Sequence, residues 1–181
     1  MLKYKVIKLT QDDIPNYLKV GVVNSPCVLY GIHNKPFVWI CEEEKCDLDY
    51  IIKHNINYIK LNAPGSTIVC SEGDINFGFF GSKEFCDRMF DKIAKYVSKI
   101  ITNSKFINND FMYNGNKHGS MTFIDLGECY YIGVHISNNI NKELISKICR
   151  KKCFKQPEKL PVEFTEKDVL NIYNGEHYEN D

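Results

Sequence analysis

Asn109-Asp110-Phe111-Met112-Tyr113-Asn114-Gly115-Asn116-Lys117-His118-Gly119-Ser120-Met121-Thr122-Phe123 is the stretch on which the reading of this chain turns. Asn-Gly readily takes the left-handed angles of a tight turn, so residues 113–116 predict a hairpin between two antiparallel strands. Lys117 stands just beyond that turn, with Gly119 and Ser120 close behind it. An amine held there by rigid neighbours can reach into a cleft, polarise a carbonyl, and offset charge that develops at an acyl carbon. A solvated lysine at a hairpin tip is the plainer alternative.

Working outward, the clearest helix lies just before this stretch. Ser82 can cap it, and Phe85, Met89, Ile93, Tyr96, Val97, Ile100 and Ile101 recur at helical spacing. Period-two alternation or β-branched runs predict strands at 3–8, Val20–Tyr30, Phe37–Cys41, Tyr58–Leu61, Thr67–Cys70, Asp74–Phe80, Met121–Ile124 and Tyr130–Ser137. Glu42–His54 reads as a helix with an acidic start, and Lys142–Cys149 as another. Thr165 with Asp168 resembles a capping signal for a last short helix. Strands joined by hairpins and interspersed with helices mean α+β, without the strict alternation of a parallel α/β repeat. We expect a core domain over 1–155 and a C-terminal tail with a short helix over 156–181.

Bulk properties exclude several classes. Lys plus Arg and Asp plus Glu both total 23, so the net charge is zero and the chain lacks the basic surplus of a nucleic-acid binder. The one basic cluster, Arg150-Lys151-Lys152, is short. No apolar run approaches the roughly 20 residues of a membrane span. Residues 1–8 alternate instead of forming a leader's apolar core, so the expected location is cytoplasmic. The 8 cysteines mostly sit in apolar stretches, as reduced core residues do. Their nearest pairs, Cys41 with Cys46 and Cys149 with Cys153, lack zinc-ligand spacing and a histidine pair, so no metal site is expected.

Two further stretches stand out. Asn62-Ala63-Pro64-Gly65-Ser66-Thr67 can gather backbone amides around a carboxylate or phosphate oxygen, or can be a plain connecting turn. Gly73-Asp74-Ile75-Asn76-Phe77-Gly78-Phe79-Phe80 alternates small and aromatic residues, which suits either a narrow apolar slot or an ordinary buried strand.

Taken in order, these segments resemble the catalytic domain of lipoate–protein ligases and the related biotin ligases and octanoyltransferases. The family's G-R-x-Q-N-P strand end corresponds to Gly31-Ile32-His33-Asn34-Lys35-Pro36. Its R-R-x-S-G-G-G-A-V and G-N-x-N-F segments correspond to Lys60–Ile68 and Gly73–Phe77. Its N-D-x-x-x-x-G-x-K-x-x-G-x-A-F falls on Asn109–Phe123, with Lys117 at the ligand-gripping lysine. The resemblance covers about residues 27 to 148.

The resemblance implies a central mixed, mostly antiparallel sheet flanked by helices. It implies attachment of a lipoyl or octanoyl group to a carrier-protein lysine, with Lys117 steadying the acyl carbonyl. Gly65, Ser66, Thr67, Asn76, Asn109, Asp110, Gly119 and Ser120 would line the ligand site. Lipoate or octanoate would be substrate, ATP with Mg2+ the cofactor, and a lipoyl-carrier domain or acyl carrier protein the partner. In the octanoyltransferase variant Cys149 or Cys153 would be the nucleophile, beside Arg150, Lys151 and Lys152. The departures are specific. Ile32 and Lys60-Leu61 replace phosphate-gripping arginines, Pro64-Gly65-Ser66 replaces a triple glycine, and Ile132-Gly133 replaces a His-Gly pair, with His135 two residues on. Losing bidentate arginines weakens adenylate binding. A scaffold that keeps the fold without turnover, and binds a partner protein or a small acyl or biotin-like ligand, is therefore the alternative reading.

Overall fold

The computed structural model describes residues 5–8, 27–43, 45–61, 65–127, 129–149 and 159–178. The expectations placed on residues 3–4, 20–26, 62–64 and 150–152 and on Cys153 concern positions outside that set. Ten strands are described: β1 (Lys5–Lys8), β2 (Cys27–Ile32), β3 (Phe37–Ile40), β4 (Asn57–Lys60), β5 (Ile68–Cys70), β6 (Ile75–Gly81), β7 (Ser104–Ile107), β8 (Asp110–Tyr113), β9 (Asn116–Asp125) and β10 (Tyr130–Ile136). Four helices accompany them: α1 (Leu48–Lys53), α2 (Lys83–Ile100), α3 (Lys142–Cys149) and α4 (Glu166–Tyr178).

Seven strands form one sheet in the order β1-β2-β6-β10-β9-β8-β7, and three form another in the order β4-β3-β5. Among the described strands, only β1–β2 and β3–β4 pair in parallel. The fold is α+β with a mixed, mostly antiparallel sheet flanked by helices, as expected. Central β6 is buried along its whole length, so apart from Asn76 it carries apolar residues and glycines, with phenylalanines at 77, 79 and 80, instead of a polar face. Each such ring contributes about 1.5–3 kcal/mol on leaving water. Helix α2 covers this sheet with Phe85, Cys86, Met89, Ile93 and Val97, and the Ser82 side chain accepts a hydrogen bond from Phe85 N at 3.1 Å to cap it. The C-terminal segment adds Leu160, Phe164, Val169, Ile172 and Tyr173 to the same core.

Two expected boundaries differ. The helix expected over Glu42–His54 is confined to α1, where the Asp47 side chain caps Tyr50 N at 2.9 Å. Tertiary bonds compete for the backbone before it: Glu43 N donates to Gly65 O and Asp47 N to Ile148 O. Strand β9 begins at Asn116, not Met121. The turn is tight enough (φ 47° at Asn114, 78° at Gly115) that pairing resumes at once, Tyr113 against Asn116.

Candidate functional site

A cleft of roughly 470 Å³ opens against β6, β9 and β10. Its floor is set by Gly78 and Gly133, which face each other in the β6–β10 register. A side chain at either position would have to displace the Tyr131 ring. A Cβ at Gly78 would lie 2.3 Å from the Tyr131 ring, and one at Gly133 would lie 2.7 Å from it. Trp39, Leu61, Ile68, Phe123 and Ile124 give the cleft apolar lining, and polar side chains, Asn76, Asp110, Lys117 and Ser120 among them, line it as well. A volume of this size with mixed apolar and polar lining is characteristic of small-molecule sites.

Lys117 lines this cleft together with Gly65, Ser66, Asn76, Asn109, Asp110 and Ser120. Its position depends on a bulge. Met112 pairs with Lys117 but Phe111 pairs with Gly119, leaving His118 as the extra residue. Lys117 and Ser120 consequently share a face of β9. The Lys117 ammonium meets Asp110 Oδ1 at 2.7 Å, a pair about half exposed. Such a pair contributes at most about 1 kcal/mol, so it orients the amine more than it stabilises the fold. Asn109 holds a left-handed turn (φ 68°), and its carbonyl accepts from Met121 N at 2.7 Å.

Two expected residues lie elsewhere. Thr67 and Gly119 line a second cavity of roughly 450 Å³ instead. Gly119 is required by packing, since a Cβ there would lie 2.0 Å from the His135 carbonyl oxygen. Cys149 also lines the second cavity and packs among the residues around Val38 and Ile51.

A buried polar network behind the cleft escaped the sequence reading. Asn76 is its centre, at 8% exposure. Its Oδ1 accepts from His135 Nδ1 at 3.0 Å, and its amide nitrogen donates to His33 Nε2 and to Cys70 Sγ. That pattern requires an unprotonated Nε2 on His33 and a proton on Nδ1 of His135. Burial agrees: it lowers His33 to about 4 and His135 to about 3, the latter helped by repulsion from His33 and Lys117. Asp74 is fully buried and pushed up to about 7 by desolvation, although Ser71 N donates to it at 2.7 Å and Ser137 Oγ at 2.9 Å. The 3.7 Å separation of Asp74 from His135 Nε2 joins an acid to a neutral ring, so it is not an ion pair. Desolvation also raises Cys70, which leaves its sulfur a protonated, inert thiol.

No protein-family model matches this chain, and no curated protein matches it by sequence. Solved structures do. P. falciparum LipL1 in complex with lipoate superposes at a TM-score of 0.70 and 14% identity, over 97% of this chain and 63% of that one. The bipartite lipoate protein ligase of Thermoplasma acidophilum, described with its E2 lipoyl domain, gives 0.70 and 15% over 99% of this chain and 84% of that one. A lipoate-protein ligase A bound with ATP gives 0.71 and 15% over 98% and 85%. This chain thus spans less than two thirds of the Plasmodium protein. Biotin protein ligases share the architecture as well. The fold is therefore shared with these lipoate and biotin protein ligases.

Proposed function

We propose that this protein transfers a lipoyl or octanoyl group to a carrier-protein lysine. One observation carries the reading: Lys117 lines the same cleft as Gly65 and Ser66, beside apolar residues such as Trp39, Ile68 and Phe123. A medium acyl chain would lie along Trp39, Ile68, Phe123 and Tyr131, and its carbonyl would meet the amine. When the carrier-lysine amine attacks, negative charge builds on that carbonyl oxygen. A positioned cation stabilises it without reorganisation. Asn76, held by two neutral imidazoles, would present its amide in a fixed orientation. An E2 lipoyl domain accompanies one ligase of the same fold, and an acceptor of that kind is the partner we favour.

ATP with Mg2+ would supply activation by forming an acyl adenylate, and a thioester donor would make that step unnecessary. The cleft offers a nucleotide little. Ile32, where the family has arginine, is 45% exposed and apolar, and Leu61 packs against Trp39 and its neighbours. That absence favours a second reading, an acyl-binding scaffold without turnover.

Incubating the protein with an apo lipoyl domain and either lipoate plus ATP or octanoyl-acyl carrier protein separates the readings by intact mass. The expected result is a modified acceptor lysine in one arm and its loss in Lys117→Ala. Lipoate binding without modification in either arm would select the scaffold.

A further inference from the structure

Cross-strand pairing sorts the cleft face of the large sheet into rows, because residues directly opposite in adjacent strands put their side chains on the same face. Asn76, His135 and Ser120 make one row, Gly78, Gly133 and Thr122 the next, and Phe80, Tyr131 and Ile124 the third. Successive rows on one face lie two residues apart, about 6.8 Å. Lys117 comes before Ser120 on β9, so it belongs to the end of the face that lies away from the third row. Along the strands the face therefore changes from polar, through bare glycine backbone, to aromatic.

Tyr131 does not stay within its own row. A Cβ added at Gly78 and one added at Gly133 would both meet its Cζ and hydroxyl oxygen, so the phenol end lies across the glycine row. Phe80 packs on the same ring, with centroids 4.5 Å apart. Tyr131 lines the cleft, whereas Phe80 and Phe37, which belong to the same apolar cluster, do not. The ring, only 6% exposed, is thus a partition between the cleft and further apolar side chains. Covering bare glycine backbone is a structural use of such a ring. Its place at the edge of the cleft gives it a second one.

We propose that Tyr131 closes the apolar end of the cleft and limits the length of acyl group admitted, so that octanoyl chains enter and dodecanoyl chains do not. The inference rests on the acyl reading of the cleft but not on turnover. A chain with its carbonyl at Lys117 and its methylenes over Gly78 and Gly133 reaches the phenol ring, and a longer chain has to displace it. Two consequences run in opposite directions. Removing the ring joins the cleft to the apolar cluster and admits longer chains. Adding a methyl group at Gly78 lifts the phenol end off the sheet into the cleft and shortens the chain that fits. A tyrosine with only a structural role would lower stability when perturbed and leave chain-length preference where it was.

Saturated fatty acids from hexanoate to tetradecanoate, each below its micellar concentration, are the probes, titrated calorimetrically into the full chain. Thermal unfolding of each variant shows whether it is folded. In wild type, affinity rises about fourfold with each methylene that leaves water, then stops rising beyond octanoate or decanoate. Tyr131→Leu binds dodecanoate at least about tenfold more tightly than wild type, the gain from two or more further methylenes. Gly78→Ala, which keeps the tyrosine, binds octanoate at least about fourfold more weakly and hexanoate equally well. An unchanged chain-length limit in either variant overturns the proposal, and so does a wild-type affinity that keeps rising through dodecanoate. If Tyr131→Leu does not fold, Gly78→Ala and the wild-type series decide. Carrier modification by intact mass tests the other reading separately. A limit that moves with Tyr131 in a protein that modifies no carrier refutes acyl transfer and leaves the ring's role standing. Transfer with the same length profile in all three proteins does the reverse, and no binding of any chain refutes both.

Discussion

Replacing Asp74 by asparagine should change how stability responds to pH. His33 and His135 fall to about 4 and about 3 from an ordinary 6.5, and Asp74 rises to about 7 from 3.8. The lowered imidazoles contribute stability that is present above pH 6.5 and lost as pH falls, because the unfolded chain binds their protons and the native state does not. The raised carboxyl acts oppositely: its stability is present below pH 3.8 and lost as pH rises through about 7. Between about pH 4.5 and 6 the unfolded chain therefore binds two protons the native state lacks, and the native state binds one the unfolded chain lacks. The net is one proton, so this network makes stability rise by about 1.4 kcal/mol per pH unit. In Asp74→Asn the native proton is gone, and the network's slope doubles to about 2.7 kcal/mol per unit. Urea unfolding of both proteins at pH 4.5, 5.0, 5.5 and 6.0 measures the difference, in which all other carboxylates cancel. Parallel stability–pH lines for the two proteins would refute the assignment of a protonated Asp74 beside neutral imidazoles.

Three further outcomes are expected. Gly119→Ala should cost about 1–3 kcal/mol or more, because its Cβ would strike the His135 carbonyl oxygen, a backbone atom that cannot swing away; chemical denaturation measures it. Ser82→Ala should cost about 1 kcal/mol in the same assay through loss of the cap on Phe85 N, with acyl transfer unaltered below the melting transition. Cys149→Ala should retain acyl transfer by intact mass, since its sulfur is not on the acyl cleft; loss of transfer from octanoyl-acyl carrier protein alone would instead indicate a thioester route.

What could be read from the chain beforehand was local. Helix α2 announces itself because its apolar residues repeat at its own period and a serine stands at its start. The 114–115 turn does so because asparagine and glycine tolerate angles that few residues accept. Glu42–His54 misled because an acidic run suits a helix start in isolation, while Gly65 and Ile148 claim its backbone in the folded protein. The network of His33, Asp74, Asn76 and His135 was illegible for a related reason. Its members come from three separate parts of the chain, and nothing near any of them signals that they meet. The Gly78–Gly133 floor depends equally on a pairing register that neither residue encodes alone.

The extra residue in β9 gives the hairpin a parity. Side chains on a strand alternate, so an odd-numbered lysine and the even-numbered Ser120 and Thr122 would ordinarily look in opposite directions. His118, buried against Phe111 and Tyr113, takes up the odd count. A chain shorter by that one residue could keep its turn, its strands and its hydrophobic face while sending the amine to the wrong side of the sheet. Alignments that score only the identity of the lysine would not notice the change. The length between Asn114-Gly115 and Ser120 is thus as much a part of the site as any side chain in it.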